Sequence, residues 1–355
     1  MTSKRITSKD VAIHAGVSRT TVSLVLNNVP GVQIPSKTRL RVRQAAKELG
    51  YVPEAAARAL ASRRSLIIGL VLTRNPHHIA SDAFLTQILD VLTDKVRKHG
   101  MRLLLDIIEE THHPEIYMEL ARARRIDGII LSGPTFSDQG LQLLENERFP
   151  TVLMGELPGS SFYSIDIDNY AAAKMAVEHL IELGHTQIGM ITNAPLAYTA
   201  STERLRGFRA AIEQAGLTYQ ENLIRFGDFD PQSGYQQMNQ LMDESPIPSA
   251  VFAASDVIAI GAMGAVRERG LRIPTDIALL GFDDIPFARY VDPPLSTVNL
   301  PATDLASKAL EVLFQLIAHK PPKTKHIRLD TKLVVRHSCG ALVCAQTLKG
   351  DSIKS

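Results

Sequence analysis

Apolar positions at the start of the chain recur at helical spacing in three short blocks. Val11, Ala12 and Ala15 mark the first, Val22, Val25 and Leu26 the second, and Leu40, Val42, Ala45, Ala46 and Leu49 the third. Each block is a narrow stripe able to pack against its neighbours. Local signals support the segmentation. Thr7 followed three residues later by Asp10 fits a capping box, Gly16 suits the left-handed exit of a helix, Ser18 caps the second helix, and Ser36 and Gly50 bracket the third. The pattern predicts two short helices around an Ala-Gly-Val turn with a third helix behind them, the layout of a helix-turn-helix DNA reader. Arg19, Thr20, Thr21 and Ser23 cluster at the start of the second helix, where a recognition helix touches base edges.

From Leu66 onward the period changes. Short apolar runs at 66–73, 101–107, 127–132 and 150–154 alternate with amphipathic stretches near 84–98, 115–124 and 138–146. A second set follows, with strands at 187–192, 223–226, 250–253 and 277–282 and helices near 202–215, 232–243 and 256–269. Such alternation predicts parallel sheets covered on both faces, here as two lobes. Tyr163–Asp168 and Leu295–Leu300 interrupt the rhythm where the chain can cross between lobes. A ligand cleft is expected between the lobes, at the carboxyl ends of the strands. The expected organisation is a 1–53 head, a 54–64 hinge, a 65–337 body and a poorly ordered 338–355 tail. The body divides into a first lobe of 65–161 and 297–325 and a second of 166–293 and 326–337.

Charge sharpens this division. Residues 1–65 carry 12 Lys or Arg against three acidic residues, a charge of +9, while the remainder carries 27 against 34, or −7, beneath a formal total of +2. A basic head suits phosphates and a mildly acidic body does not. Between them, Pro53 precedes the Ala-rich run Glu54–Leu60, which is helix-prone yet too short to persist alone in water. It reads as a hinge that folds on DNA, or as a plain linker helix.

Other chemistries find little support. His77-His78 and His112-His113 read as solvated loop histidines, since adjacent residues point in different directions and no Cys or carboxylate repeat accompanies them. No metal and no cofactor is expected. Cys339 and Cys344 read as free thiols of a cytoplasmic chain, with no signal peptide or membrane run apparent. The chain has no Gly-x-Ser-x-Gly elbow and no phosphate-cradling glycine loop, so an enzyme is disfavoured. A periplasmic-type sugar-binding protein shares the two-lobed body but gives no reason for the basic head.

The runs Asp10-Val11-Ala12, Gly16-Val17-Ser18, Thr21-Val22-Ser23, Leu49-Gly50-Tyr51-Val52-Pro53 and Ala57-Arg58-Ala59-Leu60 resemble the head and hinge of the LacI/GalR family of bacterial transcription regulators. Leu183-Gly184-His185, Arg204-Leu205-Arg206-Gly207-Phe208, Ser255-Asp256, Gly281-Phe282-Asp283-Asp284 and Pro293-Pro294-Leu295-Ser296-Thr297-Val298 resemble family blocks of the body, in the family's order.

The resemblance implies an all-α helix-turn-helix headpiece joined to an α/β, two-lobed body like a type I periplasmic binding protein. It further implies a homodimer or dimer of dimers on double-stranded DNA with a pseudo-palindromic operator, localised to the cytoplasm at the nucleoid. Its output would be repression of carbohydrate genes, controlled by a small effector, a sugar or alternatively a purine, nucleoside or protein corepressor. DNA contacts are implied for Thr7, Ser18, Arg19, Thr20, Thr21, Ser23, Leu24 and Asn27, with Ala57, Arg58 and Leu60 in the hinge and Leu60 as a minor-groove wedge. Effector contacts are implied for Phe84, Arg204, Phe229, Ser255 and Asp283. Leu24 stands where some members carry a polar or basic residue, Glu54 where an Asn is frequent, and Ser255 where lactose-type members carry Asn. With no Trp in the chain, any aromatic platform for a sugar must be Phe or Tyr.

Overall fold

A computed structural model of the chain describes residues 6–27, 32–51, 64–108, 115–122 and 125–342. The hinge residues Glu54, Ala57, Arg58 and Leu60, the histidines His112 and His113, and Cys344 lie outside the described residues.

The head holds α1 (Ser8–Ala15), α2 (Arg19–Leu26) and α3 (Ser36–Glu48). The Asp10 carboxylate accepts from the Thr7 backbone N–H at 2.8 Å and its hydroxyl at 2.7 Å, and Gly16 leaves α1 with φ 61°. Ser18 Oγ accepts from the Thr21 N–H at 3.0 Å, which starts α2. Val11, Ala12, Ala15, Val22, Val25, Val42, Ala45 and Ala46 form one buried cluster. Leu40 is a correction: it is 72% exposed, because it falls on the face of α3 opposite Val42 and Ala46.

The body contains two six-stranded sheets among the described residues. The first uses β1 (Ile67–Leu72), β2 (Arg102–Ile107), β3 (Gly128–Ser132), β4 (Thr151–Met154), β5 (Tyr163–Ile167) and β11 (His326–Leu329), in the order β11-β5-β4-β3-β1-β2. The second uses β6 (Ile188–Ile191), β7 (Ile224–Arg225), β8 (Ala250–Ala253), β9 (Ala278–Asp283), β10 (Ser296–Asn299) and β12 (Lys332–Val334), in the order β12-β10-β9-β8-β6-β7. Every pairing is parallel except that of β10 with β12. Among the described residues of this region the α-helices are α4 (Ala83–Lys98), α5 (Ile116–Arg122), α6 (Gln139–Asn146), α7 (Asn169–Glu182), α8 (Thr199–Gln214), α9 (Pro231–Met242), α10 (Asp256–Glu268) and α11 (Ala302–Ile317).

Three features differ from the sequence reading. Tyr163–Ile167 and Ser296–Asn299 are strands, and the chain crosses between lobes just after each of them, near 168 and 300, and again near 330. The first lobe therefore includes β5 and β11, and the second includes β10. The segments looked irregular because Ser164, Ser296 and Thr297 are polar residues buried within strands. The supposed tail is packed against the core over 338–341. Ser338 Oγ donates to the Leu279 carbonyl at 2.6 Å and accepts from the Ser296 N–H at 2.8 Å, and Cys339 is a buried free thiol. Cooperating side chains supply order where hydrophobic period is missing.

Helices α9 and α10 cross with backbone almost in contact at Gly234 and Gly261. A β-carbon at Gly261 would collide with the Pro231 carbonyl oxygen, and one at Gly234 with that of Ile258. The obstacle is backbone, which cannot rotate away. We expect Gly261→Ala to cost at least about 1–3 kcal/mol, read as a lower denaturant midpoint at unchanged m-value.

Candidate functional site

A cavity of about 130 Å³ lies between the lobes at the carboxyl ends of their strands. A cavity of about 150 Å³ takes up a benzene ring, so this space is of the size of one ring. Phe84, Arg204, Phe229, Ser255 and Asp283, drawn from distant parts of the sequence, all line it.

Arg204 is its electrostatic centre. It is 5% exposed, donates from Nε to Asn169 Oδ1 at 2.9 Å and from Nη1 to the Ala254 carbonyl at 2.6 Å, and stacks 3.7 Å above the Phe282 ring. Asp283 Oδ1 is 4.0 Å from Nη1. The guanidinium thus ties α7, β8 and β9 together before any ligand arrives. Around it stand three acids, the buried Asp256 and Asp283 and the half-buried Asp166. Burial pushes Asp283 up to about 7, against the pull of Arg204, and pushes Asp166 up to about 6, against backbone donors from Ile167 and Glu156. Asp256 is raised by burial and by Asp283, while accepting from Thr297 Oγ1 at 2.6 Å and the Ile285 N–H at 2.9 Å. Asp283 also holds a left-handed φ of 115°, which aims its carboxyl into the cavity rather than along the strand.

The opposite wall is aromatic. Phe229, at φ 59°, meets Tyr198 edge-on at 4.9 Å between ring centres, and the Arg74 guanidinium lies 4.8 Å from the Phe229 ring centre. Arg74 pairs with Asp82, whose other oxygen caps α4 through the Leu85 N–H at 2.7 Å. The Tyr198 hydroxyl donates to the Thr73 carbonyl, so this ring bridges the two lobes. Arg74, Asp82, Asn169, Asn193 and Tyr198 also line the cavity and were not anticipated. Their shared signal is position, since Arg74 and Asn193 follow strand ends and Asp82, Asn169 and Tyr198 sit at helix starts. Ser255 is partly committed elsewhere, capping α10 through the Val257 N–H at 3.2 Å.

In the head, Thr7, Ser18, Arg19 and Thr20 are exposed, while Thr21, Ser23, Leu24 and Asn27 are half-buried. Ser18 and Thr21 share a hydroxyl contact of 2.9 Å, and Asn27 Nδ2 donates to Ser23 Oγ at 3.1 Å. Those four polar groups shape α2. Arg19 and Thr20 present outward from its first turn.

Comparison with known proteins accounts for both surfaces. Residues 7–54 match the family profile described as bacterial regulatory proteins, lacI family, and residues 177–339 match a periplasmic binding protein-like domain. The HTH-type transcriptional regulator CelR of Thermobifida fusca is 34% identical over 338 residues, covering 94% of this chain and 98% of that protein. The chain belongs to the LacI family.

A lac repressor dimer solved with operator and an anti-inducer superposes with a TM-score of 0.81 at 29% identity, covering 95% of this chain and 99% of that one. A CelR–cellobiose complex gives 0.72 at 33%, covering 94% and 100%. As a LacI-family regulator the chain is a DNA-binding transcription factor and not an enzyme. Its basic head is the DNA-binding part and its two-lobed body is the periplasmic-binding-protein-like part. Among the described residues no helix is long and apolar enough to cross a membrane.

Proposed function

We propose that this LacI-family protein is a repressor of carbohydrate genes that binds a pseudo-palindromic operator as a homodimer or dimer of dimers. A small sugar in the interlobe cavity sets its operator affinity. The observation that carries the effector assignment is the pairing of an aromatic wall, Phe229 and Tyr198, with Asp283, Asn193, Arg74 and Asp82 around a space sized for one ring. A carboxylate accepts two hydroxyl hydrogens, a guanidinium donates in a fixed fork, and a ring face covers the apolar side of a pyranose. That one relative was solved with cellobiose supports the same chemistry. Closure on the sugar would shift how two first lobes pair and hence the spacing of two hinges.

The test is a thermal-shift screen of glucose, cellobiose and purine bases, followed by operator titration with each hit. A sugar that raises the melting temperature and changes operator affinity is the expected result. A response to purines alone would overturn the sugar assignment. In the hinge, Leu60 is proposed as the minor-groove wedge: Leu60→Ala should weaken operator binding at least about tenfold and leave random-sequence binding near the parent, measured by fluorescence anisotropy.

Asp283 makes the response pH-dependent. Its pKa near 7 means that it is largely ionised at pH 8 and protonated by pH 6. Sugar hydroxyls hydrogen-bonding to the carboxylate favour the ionised form, so binding releases a proton and affinity falls as pH drops through 7. Calorimetry at pH 8 and 6 should show this fall, and Asp283→Asn should flatten it.

A further inference from the structure

The sequence alone reads His77 and His78 as solvated loop histidines rather than metal ligands. His77 is exposed as that reading has it, but His78 is buried. They lie in the 3₁₀ turn Pro76–Ser81 of the first lobe, and the 228–230 loop of the second lobe meets them across the cleft mouth. His78 is 3% exposed, and among the described residues neither of its ring nitrogens has a hydrogen-bond partner, although Asp228 Oδ2 stands 3.4 Å from Nε2. A buried, unsatisfied imidazole is costly unless something comes to satisfy it. His77 Nδ1 is engaged by Asn75 Oδ1 at 2.6 Å, which turns Nε2 toward Asp230 Oδ2 at 3.9 Å. Asp230 spends Oδ1 on capping α9, through the Ser233 N–H at 2.7 Å, and keeps Oδ2 facing the histidines.

One ligand atom from each of His77, His78 and Asp230 lies within 4.8 Å of the others. Around a zinc-class ion with bonds of about 2.0–2.2 Å, tetrahedral ligand atoms stand about 3.5 Å apart, a closing movement within reach of side-chain rotation. We propose that His77, His78 and Asp230, with Asp228 at the edge, form a site for a divalent transition-metal ion that clasps the two lobes across the cleft mouth. Mixed imidazole and carboxylate donors suit Zn²⁺, Co²⁺ or Ni²⁺ rather than Mg²⁺ or Ca²⁺. Because the ligands come from both lobes, the ion binds the closed arrangement and stabilises it.

The experiment uses the full chain without an affinity tag, stripped with chelator, titrated calorimetrically with Zn²⁺ and followed by Co²⁺ absorption and thermal melting. The expected result is one ion per chain, a raised melting temperature, and affinity at least about tenfold weaker in both His77→Ala and Asp230→Asn. Asp230→Asn keeps a side-chain oxygen for the α9 cap, and the metal-free melt and operator affinity of each variant report that it is folded. Absence of saturable one-to-one binding, or unchanged affinity in either variant, would overturn the proposal.

Discussion

Replacing Arg204 with Met is expected to destabilise the protein by about 3–5 kcal/mol at pH 8 and to abolish the effector response. Met fills much of the volume but removes the only guanidinium shown within 4.0 Å of Asp283 among the described residues, and it leaves Asn169 Oδ1 and the Ala254 carbonyl without their donor. Asp283, Asp166 and Asp256, each raised by burial and each within the influence of Arg204, then face one another without a counter-charge. Their pKa values would climb further, and this gives the prediction a sign. An acid whose folded pKa exceeds its unfolded value of 3.8 imposes no penalty below pH 3.8. The penalty grows as pH rises toward the folded pKa and is complete above it. The deficit of Arg204→Met should therefore be larger at pH 8 than at pH 5.5, measured by denaturant melts of parent and variant at both. A deficit independent of pH would mean that lost packing on Phe282, not lost charge compensation, is the cause.

The same cluster shows which parts of the molecule were legible in the sequence. The head was readable because its determinants are local: Thr7 with Asp10 and Ser18 with Thr21 act within three residues, and Gly16 acts on itself. The central strands were readable because both faces are buried, so Ile68–Leu72 and Ala250–Ala253 appear as unbroken runs of apolar or small residues. Strands β5 and β10 carry buried Ser164, Ser296 and Thr297, whose partners are up to 162 residues away, as in Ser164 with His326. No local rule indicates that such a hydroxyl will be satisfied, nor which sheet a segment joins after crossing. The cavity followed the same division. Arg204 and Asp283 were reachable through resemblance, whereas Arg74, Asp82 and Tyr198 acquire their roles only when α4, α8 and the 228–230 loop converge. His78 is the sharpest case, since the groups that approach its ring, Asp228 and Phe229, belong to the second lobe.

In the head, the largest single loss is expected from Arg19→Ala. Ser18 fixes the start of α2, so Arg19 leaves its first turn exposed and outside the Ser18–Thr21 and Ser23–Asn27 pairs that hold the helix. An arginine there can grip guanine O6 and N7 with two parallel donors, a contact worth about 1–3 kcal/mol of base discrimination. In a dimer on a pseudo-palindrome the contact occurs once per half-site, so the loss is about 2–6 kcal/mol, or roughly 30-fold to more than 10⁴-fold in operator affinity. Arg19→Lys separates the two ways in which this residue could act. It keeps the charge, and with it the salt dependence of binding, but not the planar fork. If Arg19 reads a base, Lys should lose most of what Ala loses on the operator while binding random DNA like the parent. Anisotropy titrations on operator and random duplex at two salt concentrations decide the matter. If Ala weakens both duplexes equally and Lys restores both, Arg19 contacts phosphate, and sequence readout passes to Thr20 and Leu24.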